Sequence, residues 1–314
     1  MAAPNPNQDF WNIAAGDLTS DLDLTFEELL ALLDLAAKMK KNPARFARAL
    51  SGRYLALLFE KPSLRTRMTF ELAIKQLGGD AIVSTGLIAE REPIKDVARN
   101  LERWTNGIVA RTFMQRTVDE LAKWASVPVI NALSDLYHPC QALADVMTIK
   151  ERFGKWRGLK LAFIGDGNNV ANSLMLTGMR LGMDFAIATP PGYQADPVVI
   201  NTARELSATM GSTISVTTDA AEAVSGAHAV YTDVWASMGQ EHEAIERRAR
   251  FHSYQVNEAL MAKARPEAVF MHCLPAKRNQ ETTDVVMESH QSVVFDQAEN
   301  RLHAQKALLL MLLA

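Results

Sequence analysis

The sequence predicts an α/β protein made of parallel sheets flanked by helices and divided into two domains, and three observations carry this. Short apolar runs alternate with stretches of helical periodicity from Tyr54 onward, the pattern of a parallel sheet covered on both faces. The alternation starts afresh beyond ERFGKWRG, which puts a boundary near Gly154. The chain is 314 residues long, beyond the roughly 250–300 residues at which single cores stop growing.

Taken in order, residues 21–41 form an amphipathic helix, with Thr25 as its cap, Glu27 and Glu28 behind it, and Leu29, Leu32, Leu33 and Ala36 at helical spacing. Next comes YLALLFEKPSLRTRMTFELAIKQLGG, Tyr54 to Gly79. Tyr54–Phe59 has the length of a buried strand. A turn around Pro62 then leads into a helix marked by Leu64, Met68 and Leu72, capped by Ser63 and stopped by Gly78-Gly79. Strands follow at 81–84, 107–113 and 127–133, with helices at 94–104 and 118–125 between them.

The helix after Ser63 carries an unusual charge. Lys61, Arg65 and Arg67 crowd the end where the helix dipole is already positive. Arg67 has Glu71 one turn on, whereas Arg65 has Lys61 four before it and Thr69 four after it, and so no helical acid partner. Hydroxyls at Ser63 and Thr66, free first-turn N–H groups and a guanidinium expected to lack a protein partner describe a phosphate cradle. The alternative is a capped helix whose arginines pair with distant acids.

Arg111 lies near the end of the strand GIVARTF, and the carboxyl ends of parallel strands are where such sheets hold ligands; a solvated strand-end arginine is the competing reading. In LYHPCQALADVMTI, Pro139 suits the first turn of a helix, with His138 before it and Gln141 within that turn. His138 is there a cap or a catalyst.

The second half gives strands at 159–165, 185–189, 214–217, 229–234, 269–274 and 293–295. The first ends in IGDGNNVANS. Gly165 and Gly167 match a dinucleotide fingerprint, but Val170 stands where its third glycine belongs, and the next strand ends in Ala188-Thr189-Pro190 with no acid for a ribose. Nicotinamide binding is therefore not expected, and Asn168 and Asn169 offer amides at a strand-to-helix turn. Asp233 and Ser237 lie in YTDVWASMGQE, and His272 and Cys273 precede a proline turn in VFMHCLPAKRNQE. Neither Cys–His pair has zinc-like spacing, so no metal is expected. In DQAENRLHAQKALLLMLLA, Arg301 opens a final helix with core leucines.

Composition narrows the classes. Hydrophobic residues make up 48% and the net charge is −3, which implies no broad basic face for nucleic acid or anionic membrane and makes any basic site local. The two cysteines, Cys140 and Cys273, suit a reducing cytoplasm. MAAPNPNQDFWN lacks signal-peptide features, and ALLLMLLA is too short to span a bilayer.

Together and in order, SLRTR, HPCQ, GDGNN, DVWASMGQE, HCLPA and AENR resemble the aspartate/ornithine carbamoyltransferase family, with DVWASMG and HCLP similar to its ornithine-using branch. The resemblance covers the chain from about residue 8 to its end. It implies two domains joined by two helices, one crossing near residue 145 and one returning at the C-terminus: residues 1–150 with 300–314 binding carbamoyl phosphate, and residues 151–299 binding L-ornithine. It also implies a homotrimer and no cofactor. By motif, Ser63, Leu64, Arg65 and Thr66 hold the phosphate; Arg111, His138 and Gln141 surround the carbamoyl group, with Cys273, the Leu274 carbonyl and Arg301 completing the set; Asn169, Asp233, Ser237 and Met238 hold ornithine. Arg111, His138, Cys273 and Arg301 are the catalytic candidates. The reaction is attack of a neutral δ-amine on a carbonyl carbon with loss of phosphate, and Arg65, Thr66, Arg111 and His138 are donors suited to an oxygen gaining charge.

Two departures from the family pattern stand out. Leu64 replaces the threonine of the usual STRT, which leaves its backbone N–H able to donate. VSTGLIAEREP, between Val83 and Pro93, is shorter than the family's loop and lacks the QLG-like residues that reach a neighbouring subunit's phosphate. The competing readings are a carbamoyltransferase for another acceptor (aspartate, N-acetylornithine or putrescine), a non-catalytic sensor of a phosphorylated metabolite, and a nucleotide-linked oxidoreductase. Aspartate enzymes normally read HPLP where this chain has HCLP.

Overall fold

In the computed structural model, which describes residues 12–236 and 241–314, the chain divides into two compact units, Met1–Leu143 with Asn300–Ala314, and Ala144–Glu299. The first unit opens with α1 (Phe26–Lys41). Thr25 caps it by accepting the Glu28 N–H, and the Glu28 carboxylate returns to the Thr25 N–H, a reciprocal capping box. The sheet follows as β1 (Tyr54–Phe59), α2 (Leu64–Gln76), β2 (Asp80–Thr85), α3 (Ile94–Leu101), β3 (Gly107–Arg111), α4 (Gln115–Trp124) and β4 (Val129–Leu133). All its strands are parallel, in the order β2-β1-β3-β4. Leu55–Phe59 and all of β3 are buried. Ala56, Leu58, Ile108, Ala110 and Val129 pack with Ala98 of α3 and Val118 and Leu121 of α4.

The second unit contains β5 (Lys160–Ile164), α6 (Asn169–Arg180), β6 (Asp184–Ala188), α7 (Pro197–Met210), β7 (Ile214–Thr217), α8 (Ala220–Val224), β8 (Ala229–Thr232), α9 (Ala244–Phe251), α10 (Glu258–Met261), β9 (Val269–His272) and α11 (Asp284–Met287) when the helix numbering is taken on from α5 (Pro139–Phe153), and the chain ends in α12 (Val294–Leu313). Its parallel sheet has the order β7-β6-β5-β8-β9. Helices α5 and α12 contain the two points of division and so carry the chain from unit to unit.

Three expectations change. The row Leu64, Met68 and Leu72 identifies a helix, but these residues are 72%, 51% and 41% exposed, and Thr66, Phe70, Ala73 and Ile74 form the buried face instead. The expected strand at 293–295 reduces to a single bridge, Ser292 beside Phe270, because Val294 already begins α12. Arg301 therefore lies two turns inside that helix rather than opening it.

Candidate active site

Strand order reverses between β1 and β3 in the first sheet and between β5 and β8 in the second; residues 63–66 follow β1 and Arg111 ends β3, Asn169 follows β5 and Asp233 follows β8, while His138 follows β4 and Cys273 follows β9.

In the first unit, α2 begins just after β1, and Ser63 caps it by accepting the Thr66 N–H at 3.3 Å. Its first turn contains no acid, so its N–H dipoles and the charge of Arg65 favour an anion. Arg67 pairs with Glu71 at 2.8 Å, as the spacing predicts. Arg65, which is half-buried, has an interaction partner in the structure, so the expectation of a guanidinium without one is not upheld. Arg111 closes β3 beside Phe59, the last residue of β1, and is buried. His138 precedes α5 and accepts the Gln141 N–H through its carbonyl at 3.0 Å.

What sequence spacing could not reveal is how Arg301 joins this group. Its guanidinium donates to Gln141 Oε1 at 2.5 Å and to Thr66 Oγ1 at 3.2 Å, and all three side chains are buried. Burial, then the charges of Arg301 and Arg111, hold the His138 imidazole well below its ordinary 6.5. His138 is therefore neutral at physiological pH. The result is a buried polar group next to a capped helix end, in which Arg111 and Arg301 are cationic and His138, Gln141 and Thr66 are neutral. Lys61 belongs to the same neighbourhood, buried with its ammonium 4.7 Å from the Phe113 ring centroid.

In the second unit, Asn168 caps α6, accepting the Val170 and Ala171 N–H groups at 3.0 and 3.2 Å. Its amide nitrogen donates to Asp233 Oδ2 at 2.8 Å. Asn169 is the first residue of α6. The other Asp233 oxygen accepts the Val234 N–H at 2.8 Å and the Cys273 thiol at 3.0 Å. Burial and the Asp233 charge push the Cys273 thiol well above its usual range, so it stays protonated and is not a thiolate nucleophile. Leu274 has a left-handed backbone, φ 59°, held where its N–H donates to His272 Nδ1 at 2.8 Å. Ser237 and Met238 lie outside the described residues.

Two further readings can be tested here. A Cβ on Gly167 would stand 2.1 Å from the Ala195 nitrogen, and the Gly167 N–H donates to the Tyr193 carbonyl at 2.9 Å. The second glycine of the apparent fingerprint thus admits the chain's own backbone. Asp233, His272 and Cys273 bring their ligand atoms within 4.8 Å of one another, but His272 Nδ1 accepts the Leu274 N–H, which leaves Nε2 with the proton, facing Glu281 Oε1 at 3.2 Å. The imidazole offers no open lone pair, so the cluster falls short of a three-ligand metal site.

The motifs at both strand-end groups match a known family along the chain. Residues 17–151 match the carbamoyl-P binding domain of aspartate/ornithine carbamoyltransferase, and residues 157–312 match its Asp/Orn binding domain. The chain belongs to the aspartate/ornithine carbamoyltransferase family. Within this family it is 50% identical to ornithine carbamoyltransferase of Thermococcus kodakarensis over 95% of this chain and 96% of that one. It is 49% identical to the anabolic ornithine carbamoyltransferase of Pyrococcus furiosus, again over 95% and 96%. The solved structure of ornithine carbamoyltransferase from Pyrococcus furiosus aligns with TM-score 0.93 and 48% identity, covering 96% of this chain and 98% of that chain.

Proposed function

We propose that this carbamoyltransferase moves the carbamoyl group of carbamoyl phosphate to the δ-amine of L-ornithine, giving L-citrulline and phosphate. The observation that carries the reading is the buried Arg301 bridging Gln141 and Thr66 beside the acid-free N-terminus of α2, a donor set suited to a phosphate and to a carbonyl oxygen gaining charge. Residues 1–150 with 300–314 bind carbamoyl phosphate. Ser63, Leu64, Arg65 and Thr66 take the phosphate, while Arg111, His138, Gln141 and Arg301 take the carbamoyl oxygen and nitrogen. Neutral His138 serves as a hydrogen-bonding group, with the positive charge supplied by the arginines.

Residues 151–299 bind ornithine. Asp233 pairs with the α-ammonium, Asn169 donates to the α-carboxylate, and Ser237 and Met238 complete the contacts. The Cys273 thiol and the Leu274 carbonyl lie beside the δ-amine and place no positive charge there. The neutral δ-nitrogen attacks the carbonyl carbon, the carbonyl oxygen becomes an oxyanion held by the arginines, and as the C=O re-forms the C–O bond to phosphate breaks and the nitrogen's proton passes to the departing phosphate. Holding both reactants in orientation supplies much of the remaining acceleration.

The protein acts as a homotrimer in a reducing cytoplasm. The exposed apolar row on α2 supports assembly, and both cysteines are free thiols. The shorter loop from Val83 to Pro93 makes fewer phosphate contacts across subunits than the family pattern. A role in arginine synthesis is supported by the relative named anabolic. Among the described residues, no helix is long and apolar enough to cross a membrane. Ureido-product formation from carbamoyl phosphate, assayed with ornithine, N-acetylornithine and putrescine, tests the acceptor; comparable rates with all three would refute ornithine while leaving carbamoyl transfer intact.

A further inference from the structure

Gln297, in the first turn of α12, is singled out by none of the motifs, yet its side chain ties α5, β8 and β9 to that helix. β9 is an edge strand of its sheet. Along its outer side the Phe270 N–H donates to the Gln291 carbonyl at 2.8 Å, and the Phe270 carbonyl accepts the Val293 N–H at 3.0 Å. At Val294 the main chain turns into α12, so the next place in this ladder falls to a side chain: the His272 N–H donates to Gln297 Oε1 at 3.0 Å. The Gln297 amide nitrogen donates in turn to Asp145 Oδ1 on α5 at 2.6 Å and to the Tyr231 hydroxyl on β8 at 3.0 Å, and that hydroxyl donates to Asp145 Oδ2 at 3.2 Å. Asp145, Tyr231, His272 and Gln297 are each at most 1% exposed. A carboxylate only accepts, so the amide nitrogen faces Asp145 and the amide oxygen is left for His272. Burial, then the Asp145 charge, push the Tyr231 hydroxyl well above its ordinary 10, which keeps it a donor to that carboxylate.

His272 is followed directly by Cys273 and Leu274, the residues placed beside the δ-amine. We infer that Gln297 is a positioning residue for the attacking amine, fixing the end of β9 against α5 and β8 so that the Cys273 thiol and the Leu274 carbonyl aim the δ-nitrogen at the carbonyl carbon. This rests on the ornithine reading above. The α-amino acid end has its own support, because Asp233 accepts the Asn168 amide and the Val234 N–H, both at 2.8 Å, and neither bond passes through Gln297. Loss of the Gln297 bridge therefore misaims the nucleophile without releasing the substrate. A misplacement of about 1 Å at a reacting atom costs about a hundredfold in rate.

The test separates turnover from binding. Gln297→Leu keeps much of the volume but can neither accept the His272 N–H nor donate to Asp145. Its kcat with ornithine should fall about ten- to a hundredfold. Affinity for L-norvaline, an α-amino acid of the same chain length without the δ-amine, is measured by calorimetry on the whole protein saturated with carbamoyl phosphate; it should stay within about threefold of wild type, at full stoichiometry, so that the slow turnover is not a loss of folded protein. Gln297→Glu supplies the conservative rescue. Two facing carboxyls share one proton, and a carboxyl holding that proton still accepts from His272 and donates to Asp145, so kcat at neutral pH should return to within about threefold of wild type. Tyr231→Phe keeps the ring stacked on Phe163, centroids 5.5 Å apart, and removes one acceptor of the Gln297 amide. It provides the test should Gln297→Leu fail to fold, with kcat down about two- to tenfold, the value of one neutral hydrogen bond, and norvaline affinity again retained. An unchanged kcat in the folded Gln297→Leu protein, or in Tyr231→Phe where that protein does not fold, would overturn the inference alone, as would norvaline affinity falling in step with kcat or a Gln297→Glu enzyme as slow as Gln297→Leu. A wild type that binds no norvaline and carbamoylates another amine would overturn the ornithine reading along with it.

Discussion

Replacing Arg301 with methionine separates the structural from the catalytic work of the buried donor set. Methionine retains much of the volume while removing the guanidinium that bridges Gln141 at 2.5 Å and Thr66 at 3.2 Å. Gln141 and Thr66 are both neutral; each polar group left unsatisfied costs about 1–3 kcal/mol, so losing these two bonds alone should lower stability by about 2–6 kcal/mol. The catalytic loss should be larger than that disturbance explains. Removing one donor from a developing oxyanion slows turnover by about 10²–10³-fold. A second readout is independent of activity. Arg301 is one of the charges that depress His138, so in the variant the His138 imidazole should titrate at higher pH, while burial still keeps it below 6.5. Steady-state kinetics, urea denaturation and NMR of the imidazole together measure these effects. A folded Arg301→Met protein with kcat within about threefold of wild type would refute the oxyanion role, and an unmoved His138 titration would refute the electrostatic account.

Arg65→Ala should leave the fold intact and weaken carbamoyl phosphate about ten- to a hundredfold by calorimetry, the value of one charge-assisted hydrogen bond; unchanged affinity would remove Arg65 from the cradle. His138 is held neutral in the folded chain, so below its unfolded value near 6.5 the unfolded chain takes up a proton that the folded chain does not. Its contribution is present above pH 6.5 and is lost as pH falls from there toward the depressed folded value. Urea midpoints at pH 7.5 and 5.5 should therefore differ more for wild type than for His138→Gln, and an equal difference would contradict a neutral His138. Light scattering should give a trimer, and Met68→Glu, a charge in the exposed row on α2, should dissociate it; a wild-type monomer would rule the assembly out.

Much of the fold was legible because its signals are local. Thr25 and Ser63 cap the helices their positions predict, and the strands from Tyr54–Phe59 to Val269–His272 overlap the apolar runs that announce them, with ends that differ by at most two residues. Local signals fail where burial is decided by what lies across the chain. The spacing of Leu64, Met68 and Leu72 identifies a helix but not its buried side, which Phe70 and Ile74 supply. Val293–Phe295 has strand-like composition, yet the bridge to Phe270 lies at Ser292 and Val294 already begins the helix. The site divides in the same way. Asn168, Asp233 and Cys273 could be named from strand ends, whereas the bond from Arg301 to Thr66 spans 235 residues. No periodicity reports a pairing at that separation, and AENR could point to Arg301 only through family resemblance.

The central claim is tested most directly by the ratio of kcat/KM for ornithine to that for N-acetylornithine and putrescine, measured from ureido product at several pH values in wild type and Asp233→Asn. Acetylation removes the positive charge that buried Asp233 would pair with, a penalty on the order of 3–5 kcal/mol, and putrescine has no carboxylate for Asn169. Ornithine should therefore exceed both by at least about two orders of magnitude. The rate should rise with pH as the δ-amine loses its proton, and Asp233→Asn should narrow the ratio. Equal kcat/KM for the acetylated amine or the diamine, or a ratio untouched by Asp233→Asn, would contradict the assignment of the second unit to ornithine.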